Sequence, residues 1–162
     1  LSNPHPLDFI HIPSSMGQTA AMGLGIAIAQ PDVRVICCVG DGSLLMNLGC
    51  LATIVVAAPQ NFVLLVIDNN AYEVTGGQPT PVAGTTFNYA AVARANGFSE
   101  VFEFNTLDTW RADAASVFER RGPICVVLHV VCDAHAGPVG QLAPAPQRAR
   151  DFASALRNTT SH

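Results

Sequence analysis

The sequence predicts an α/β fold of the doubly wound kind, a mostly parallel sheet with helices on both faces, and three observations carry that expectation. Short, β-branched, almost uninterrupted apolar runs recur at 33–39, 62–67 and 123–131, as in strands buried on both faces. Longer stretches bearing helix caps and stops alternate with them, which is the pattern of a parallel sheet with crossover helices. The first two runs end on polar and glycine residues, Gly40-Asp41-Gly42 and Asp68-Asn69-Asn70, and in such sheets ligands bind at the carboxyl ends of the strands.

Taken in order, residues 8–12 read as a short strand and 16–30 as a small-residue helix containing Gly17, Gly23 and Gly25. Pro31-Asp32 turns the chain into the strand that starts at Val33. Ser43 is placed to cap a helix over 44–57, since its hydroxyl can accept from the free N–H groups of the first turn. The strand at 62–67 follows, then a loop rich in Pro and Gly at 79–86 and a helix over 88–96 closed by Gly97. A strand at 100–104 leads to a helix capped by Thr106 and running to Arg120, with Asp108 in its first turn and arginines at its end, both favourable to the helix dipole. The last buried strand is 123–131. Beyond Ala134 the chain is rich in Gly, Pro and Ala before a short helix over 147–156.

Length and composition bound the reading. With 162 residues and 49% hydrophobic composition, residues 1–162 are expected to form a single domain with a sizeable core. Eight basic against twelve acidic residues give a net charge of −4, and no basic cluster forms apart from the scattered Arg148, Arg150 and Arg157, so nucleic acid is not an expected partner. Every basic residue is arginine, and without lysine Schiff-base chemistry on this chain is excluded. The five cysteines, Cys37, Cys38, Cys50, Cys125 and Cys132, show no C-x-x-C spacing and three lie in apolar strands. That argues against an iron–sulfur or zinc site and for a reducing, cytoplasmic location. No signal peptide or run of about twenty apolar residues is present, so no membrane partner is expected.

The two polar strand ends have a shared chemistry. Glycines flanking Asp41 allow a sharp bend and let phosphate oxygens approach backbone N–H groups, and a helix N-terminus directly after them attracts an anion. Mg²⁺ takes near-octahedral oxygen coordination, usually from one or two carboxylates plus substrate phosphates. Asp41, the Asn69 amide oxygen and the backbone carbonyl of Ala71, with two diphosphate oxygens and a water, would complete six. A neutral second ligand suits a site where the diphosphate already brings negative charge.

Gly40-Asp41-Gly42, with Asn69 28 positions after Asp41, closely resembles the thiamine-diphosphate signature, and the resemblance widens around it. The run from Gly40 to Ile54 and the loop Thr75-Gly76-Gly77-Gln78-Pro79-Thr80 look like the matching segments of sulfopyruvate and phosphonopyruvate decarboxylases, and Ser14-Ser15-Met16-Gly17 resembles the segment that holds the aminopyrimidine. The match runs from about Ser14 to Thr80. It implies thiamine diphosphate and Mg²⁺ as cofactors, with Asp41, Asn69 and Ala71 as metal ligands and Ser14, Ser15, Met16, Gly40, Gly42, Ser43 and Thr75 around the coenzyme. In that reading the Ser14 carbonyl accepts from the 4′-amino group, the Met16 N–H donates to N3′, and the Met16 side chain props the coenzyme in its bent form.

The resemblance also implies an activity and a partner. The chain looks like the diphosphate-binding (PP) domain, the β subunit of a two-subunit 2-oxo acid decarboxylase that releases CO₂ and an aldehyde. A pyrimidine-binding (PYR) α subunit would supply the glutamate that contacts N1′, in an α2β2 or larger hetero-oligomer. His11, Tyr72 and Gln78 are the candidates for catalytic roles: His11, with His5 nearby, for proton transfer, and Tyr72, Thr75 and Gln78 in a loop whose Gly76-Gly77 pair would allow closure over the site. His129 alternates within a strand and reads as buried, while His135 follows a strand end. Glu73 and Val74 depart from the small residue and the Ser expected in the resembling enzymes, and a carboxylate near the pocket would repel a dianionic sulfonate or phosphonate head. Two other functions fit some of the same residues. One is a carboligase or synthase using the same coenzyme; the other is a non-catalytic phosphate-binding regulatory module.

Overall fold

The computed structural model describes residues 5–9, 15–131 and 143–159. The chain divides into two compact units, 16–134 and the pair of segments 1–15 and 135–162. The first unit carries the sheet. Its elements are α1 (Thr19–Ala29), β1 (Val35–Gly40), α2 (Asp41–Leu45), α3 (Cys50–Ala57), β2 (Phe62–Asp68), β3 (Ala71–Tyr72), β4 (Gln78–Pro79), α4 (Tyr89–Ala95), β5 (Glu100–Phe104), α5 (Leu107–Glu119) and β6 (Ile124–His129). In the second unit, α6 (Ala145–Thr159) stacks Phe152 on Phe9 with ring centroids 4.9 Å apart. Of the strand expected at 8–12, Asp8 closes a turn with His5 and residues 10–12 lie outside the described part.

Four strands form a parallel sheet in the order β1-β2-β6-β5, and β3 with β4 makes a small antiparallel hairpin. Alternation sorts the strand residues onto two faces. Cys37 and Val39, Phe62, Leu64 and Val66, and Cys125 and Val127 meet α1, α3 and α4 on one face. Val63, Leu65, Ile124, Val126 and Phe104 meet Val117, Trp110 and Phe118 of α5 on the other. Helices therefore cover both faces, as expected. The central strand β2 is buried almost throughout, because only an inner strand with both faces covered needs a continuous apolar run.

Three local expectations are corrected. β1 is an edge strand, and its residues on the α5 face, Ile36 and Cys38, are exposed because α5 packs over the other strands. The helix expected over 44–57 is two helices. Residues 46–49 form tight turns, in which the Asn47 and Cys50 N–H groups donate to carbonyls three residues back, while the Asn47 side chain donates to the Gly17 carbonyl at 2.9 Å. Ser43 does not cap the helix: α2 begins at Asp41 with Gly40 as its N-cap.

The close contact of α1 with β1 depends on Gly23. A β-carbon there would sit 2.9 Å from Cys37 Sγ and 3.2 Å from a ring carbon of Phe62. Replacing Gly23 with Ala gains about 1 kcal/mol of helix propensity. Overpacking costs about 1–3 kcal/mol. Gly23→Ala is therefore expected to lower the thermal midpoint, measured by circular dichroism; a rise would show that α1 is free to shift away.

Candidate cofactor and metal site

The site forms where β1 and β2 end. Asp41 is the first residue of α2, directly after β1, and is 1% exposed. Neither of its carboxylate oxygens makes a well-formed hydrogen bond in the protein, its polar neighbours being the Gly42 and Asn70 N–H groups and the Asp68 carboxyl. A buried, unpartnered carboxylate is costly, and such groups are ordinarily matched by a counter-charge or a metal. Burial is the largest cause holding the Asp41 carboxyl above its usual range; the nearby Asp68 charge raises it further, and the backbone N–H groups of Gly42 and Asn70 lower it. The Asp41 backbone is also anchored, since its carbonyl accepts from the buried Tyr89 hydroxyl at 3.4 Å.

Asn69 follows β2 at the same edge of the sheet. Its side-chain oxygen accepts from the Ala71 N–H at 3.0 Å, an Asx-type turn that leaves a second lone pair. Asn70 takes a left-handed conformation, φ 60°, which turns the chain into β3. Asp41, Asn69 and Ala71 thus occupy one strand edge, with the set of oxygen types that Mg²⁺ prefers. Among the described residues no three His, Cys, Asp or Glu side chains converge to hold a metal by themselves. An ion here would complete its shell with oxygens from a bound anion, and the two open Asp41 oxygens fit that requirement.

The glycines of the motif have different reasons. A β-carbon at Gly40 would meet nothing within 4 Å, so that position is open. At Gly42 it would lie 2.4 Å from Cε1 of Tyr72 and 3.3 Å from Cγ2 of Thr80, so the absent side chain there admits the tyrosine ring. Thr80 is 3% exposed and its hydroxyl has no partner. Ser43 has a role other than capping: its hydroxyl oxygen accepts from the Gly17 N–H at 2.9 Å. With Asn47 on the Gly17 carbonyl, this pins the turn at Met16-Gly17, where Gly17 has φ 82°, against the start of α2. Met16 and Ser15 are half-buried. Ser14 and His11 lie outside the described residues, as does His135.

The loop after Asn69 forms a hairpin. Thr75 Oγ1 donates to Gln78 Oε1 at 3.1 Å and Gln78 Nε2 donates to the Thr75 carbonyl at 2.8 Å, so these exposed groups bind each other. Gly76 and Gly77, with φ 117° and 77°, form the turn, and the Gly77 N–H donates to the Tyr72 carbonyl at 2.9 Å. Tyr72 reaches the site through its ring, whereas Thr75 and Gln78 are at the tip.

Sequence reasoning missed a row of polar groups beside the site. Asp68, the last residue of β2, places Oδ2 2.9 Å from His129 Nδ1 at the end of β6. His129 Nε2 lies 2.8 Å from Glu103 Oε1 on β5, and Asn88 Nδ2 donates to the same oxygen at 2.7 Å. The two ring nitrogens of His129 thus face two different carboxylates. His129 is half-buried, not enclosed in the core as expected. The signal was present: Asp68, Glu103 and His129 each continue the alternating series of their strand that faces α1, α3 and α4. Other titratable groups near the sheet are inert by comparison, with burial pushing the Cys37 and Cys125 thiols up to about 12.

Two outcomes test this arrangement. Asp41→Asn removes a buried charge and should stabilise the cation-free protein by about 1–3 kcal/mol, and any rise in thermal midpoint that Mg²⁺ with thiamine diphosphate gives the unaltered protein should be lost. Loss of stability in the cation-free state would contradict the unpartnered carboxylate. For Glu103, the hydrogen bond from His129 first, then Asn88 and Arg94, hold its carboxyl below the usual range against the opposing effect of burial. A lowered carboxyl stabilises the fold above its unfolded value near 4.5 and loses that contribution as pH falls through the folded value. Denaturation midpoints between about pH 6 and 3 should therefore fall more steeply for the unaltered protein than for Glu103→Gln.

The chain is similar to several known proteins. Phosphonopyruvate decarboxylase of Streptomyces viridochromogenes is 40% identical over 116 residues, covering 72% of this chain and 28% of that protein. Sulfopyruvate decarboxylase subunit beta of Methanocaldococcus jannaschii is 41% identical over 106 residues, 65% of this chain and 50% of that one. The chain thus spans between about a quarter and a half of these relatives. Among solved structures, 2-oxoglutarate:ferredoxin oxidoreductase from Magnetococcus marinus shares the fold with a TM-score of 0.62 at 20% identity, over 72% of this chain and 46% of that one. Residues 2–128 match the family described as thiamine pyrophosphate enzyme, C-terminal TPP binding domain, and the chain belongs to that family.

Proposed function

We propose that this chain is the diphosphate-binding subunit of a thiamine-diphosphate-dependent 2-oxo acid decarboxylase of the sulfopyruvate and phosphonopyruvate type, giving CO₂ and an aldehyde. The observation that carries the reading is Asp41, buried with both carboxylate oxygens unpartnered at the strand edge it shares with Asn69. Family membership and the two decarboxylase relatives support it. When bound, the coenzyme supplies an electron sink for loss of CO₂ from the keto acid. The chain's own residues bind and orient. Asp41, the Asn69 amide and the Ala71 carbonyl hold Mg²⁺, which neutralises the diphosphate. The Ser43 hydroxyl, accepting from Gly17, keeps its proton for donation to a diphosphate oxygen. The unpartnered Thr80 hydroxyl is a second such donor.

Tyr72, packed against Gly42, walls the diphosphate end of the site and helps to exclude water. Ser14, Ser15 and Met16 hold the aminopyrimidine, and His11 serves proton transfer. The PYR-domain α subunit supplies the glutamate for N1′ and completes an α2β2 or larger enzyme, a reading supported by the name of the archaeal relative as a beta subunit. A cytoplasmic enzyme fits a chain in which no helix among the described residues is long and apolar enough to cross a membrane.

One finding favours the carboligase alternative: a putative acetolactate synthase large subunit of Mycobacterium tuberculosis is 33% identical over 121 residues. Product analysis separates the two. Co-expressed with a PYR-domain partner, the chain should release CO₂ and an aldehyde from a 2-oxo acid only when both Mg²⁺ and thiamine diphosphate are present. Accumulation of a hydroxyketone or acetohydroxy acid when a second carbonyl is added would establish the synthase, and full activity from this chain alone would refute the two-subunit enzyme.

A further inference from the structure

The row of polar groups beside the site has one open end. Asp68 is 7% exposed, its Oδ2 is held by His129, and its Oδ1 is buried without a partner. Its backbone is fixed too, as its carbonyl accepts from the Val130 N–H at 2.9 Å. His129 is in turn fixed by Glu103, and Glu103 by Asn88, whose own side-chain oxygen caps α4 at 2.6 Å from the Ala91 N–H. Four elements, β2, β6, β5 and the start of α4, thus cooperate to set the direction of one carboxylate.

We propose that Asp68 is a positioning carboxylate for the cation site, accepting through its open oxygen a hydrogen bond from a water bound to the cation, and that His129, clamped by Glu103, fixes its orientation. The inference rests on the reading of Asp41, Asn69 and Ala71 as the Mg²⁺ site. Mg²⁺ gives up its waters reluctantly, so a site with three protein oxygens and two from the diphosphate retains one, and that water needs an acceptor. Asp68 precedes Asn69 directly and lies near enough to Asp41 for its charge to be felt there. Three carboxylate oxygens without a well-formed hydrogen bond in one buried place, two of Asp41 and one of Asp68, call for positive charge or for donors between them. A water on the cation supplies both. As an inner ligand, Asp68 would add a second carboxylate to an ion already facing a diphosphate.

The test separates orientation from mere sheet stability. Mg²⁺ is titrated by isothermal calorimetry into the full chain assembled with its PYR-domain partner, at saturating thiamine diphosphate, and the thermal midpoint of each cation-free variant is recorded. Groups that orient metal ligands typically cost about 10–100-fold in metal affinity when removed. Asp68→Ala should weaken Mg²⁺ within that range, with the isosteric Asp68→Asn showing a smaller loss in the same direction. The His129 variants are the sharper comparison. In His129→Asn the amide N–H₂ can replace Nδ1 toward Asp68, whereas in His129→Gln it replaces Nε2 toward Glu103. His129→Asn should keep Mg²⁺ affinity close to that of the unaltered protein and His129→Gln should lose it. Unchanged Mg²⁺ affinity in Asp68→Asn and Asp68→Ala, or equal affinity in the two His129 variants with only the thermal midpoints moving, would overturn the proposal. If the unaltered protein showed no Mg²⁺-dependent uptake of thiamine diphosphate, the functional reading itself would fall instead.

Discussion

A carboxylate that the fold buries and leaves unmet organises this protein. Asp41 sits at the junction of an edge strand and a short helix, where the chain turns on Gly40 and the Tyr89 hydroxyl holds the turn from below. Desolvating a carboxylate without a partner opposes folding, so the neighbouring elements exist in part to enforce it. The apolar run of β2 buries the sheet centre, α4 brings Tyr89 beneath the turn, and the hairpin after Asn69 closes over Gly42. A cation bound here would couple its binding energy to the fold, because it would relieve a cost already present in the protein without it.

The elements that depend on composition were legible in the sequence. β2 and β6 are continuous apolar runs, and no other environment than a doubly covered sheet centre suits them. The cap at Thr106 accepts from the Thr109 N–H as its residue type suggests. The two polar strand ends, at Asp41 and at Asn69, were readable because glycine, aspartate and asparagine stand directly after apolar runs. What could not be read were features set by contacts between distant segments. The break at 46–49 answers to Asn47 reaching Gly17, and Ser43 serves the same turn instead of its own helix. Asn61 binds the carbonyls of Ala27, Gln30 and Val33, tying the end of α1 to the start of β1, and nothing local announces it.

The polar row from Asp68 to Glu103 is an intermediate case. Each member continues an alternating face whose earlier positions are apolar, so a polar residue at that point is visible strand by strand. Its meaning appears only with the register, in which Asp68 pairs with His129 and β5 runs alongside. Strand order is a property of the sheet, and a sequence read one segment at a time does not contain it. The same holds for Ile36 and Cys38, whose exposure follows from β1 being outermost and not from their own character.

Gly42 shows how a signature can serve two masters. Its missing side chain admits the Tyr72 ring at a distance no β-carbon would tolerate, a demand made by the polypeptide whether or not any coenzyme is present. A descendant that abandoned its cofactor would keep this glycine for as long as the aromatic residue stayed, while Gly40, which no neighbouring atom constrains, would be free to drift. In lineages that have lost catalysis, persistence of the second glycine alone would therefore record inherited architecture, and retention of the first would be the more telling relic of anion binding.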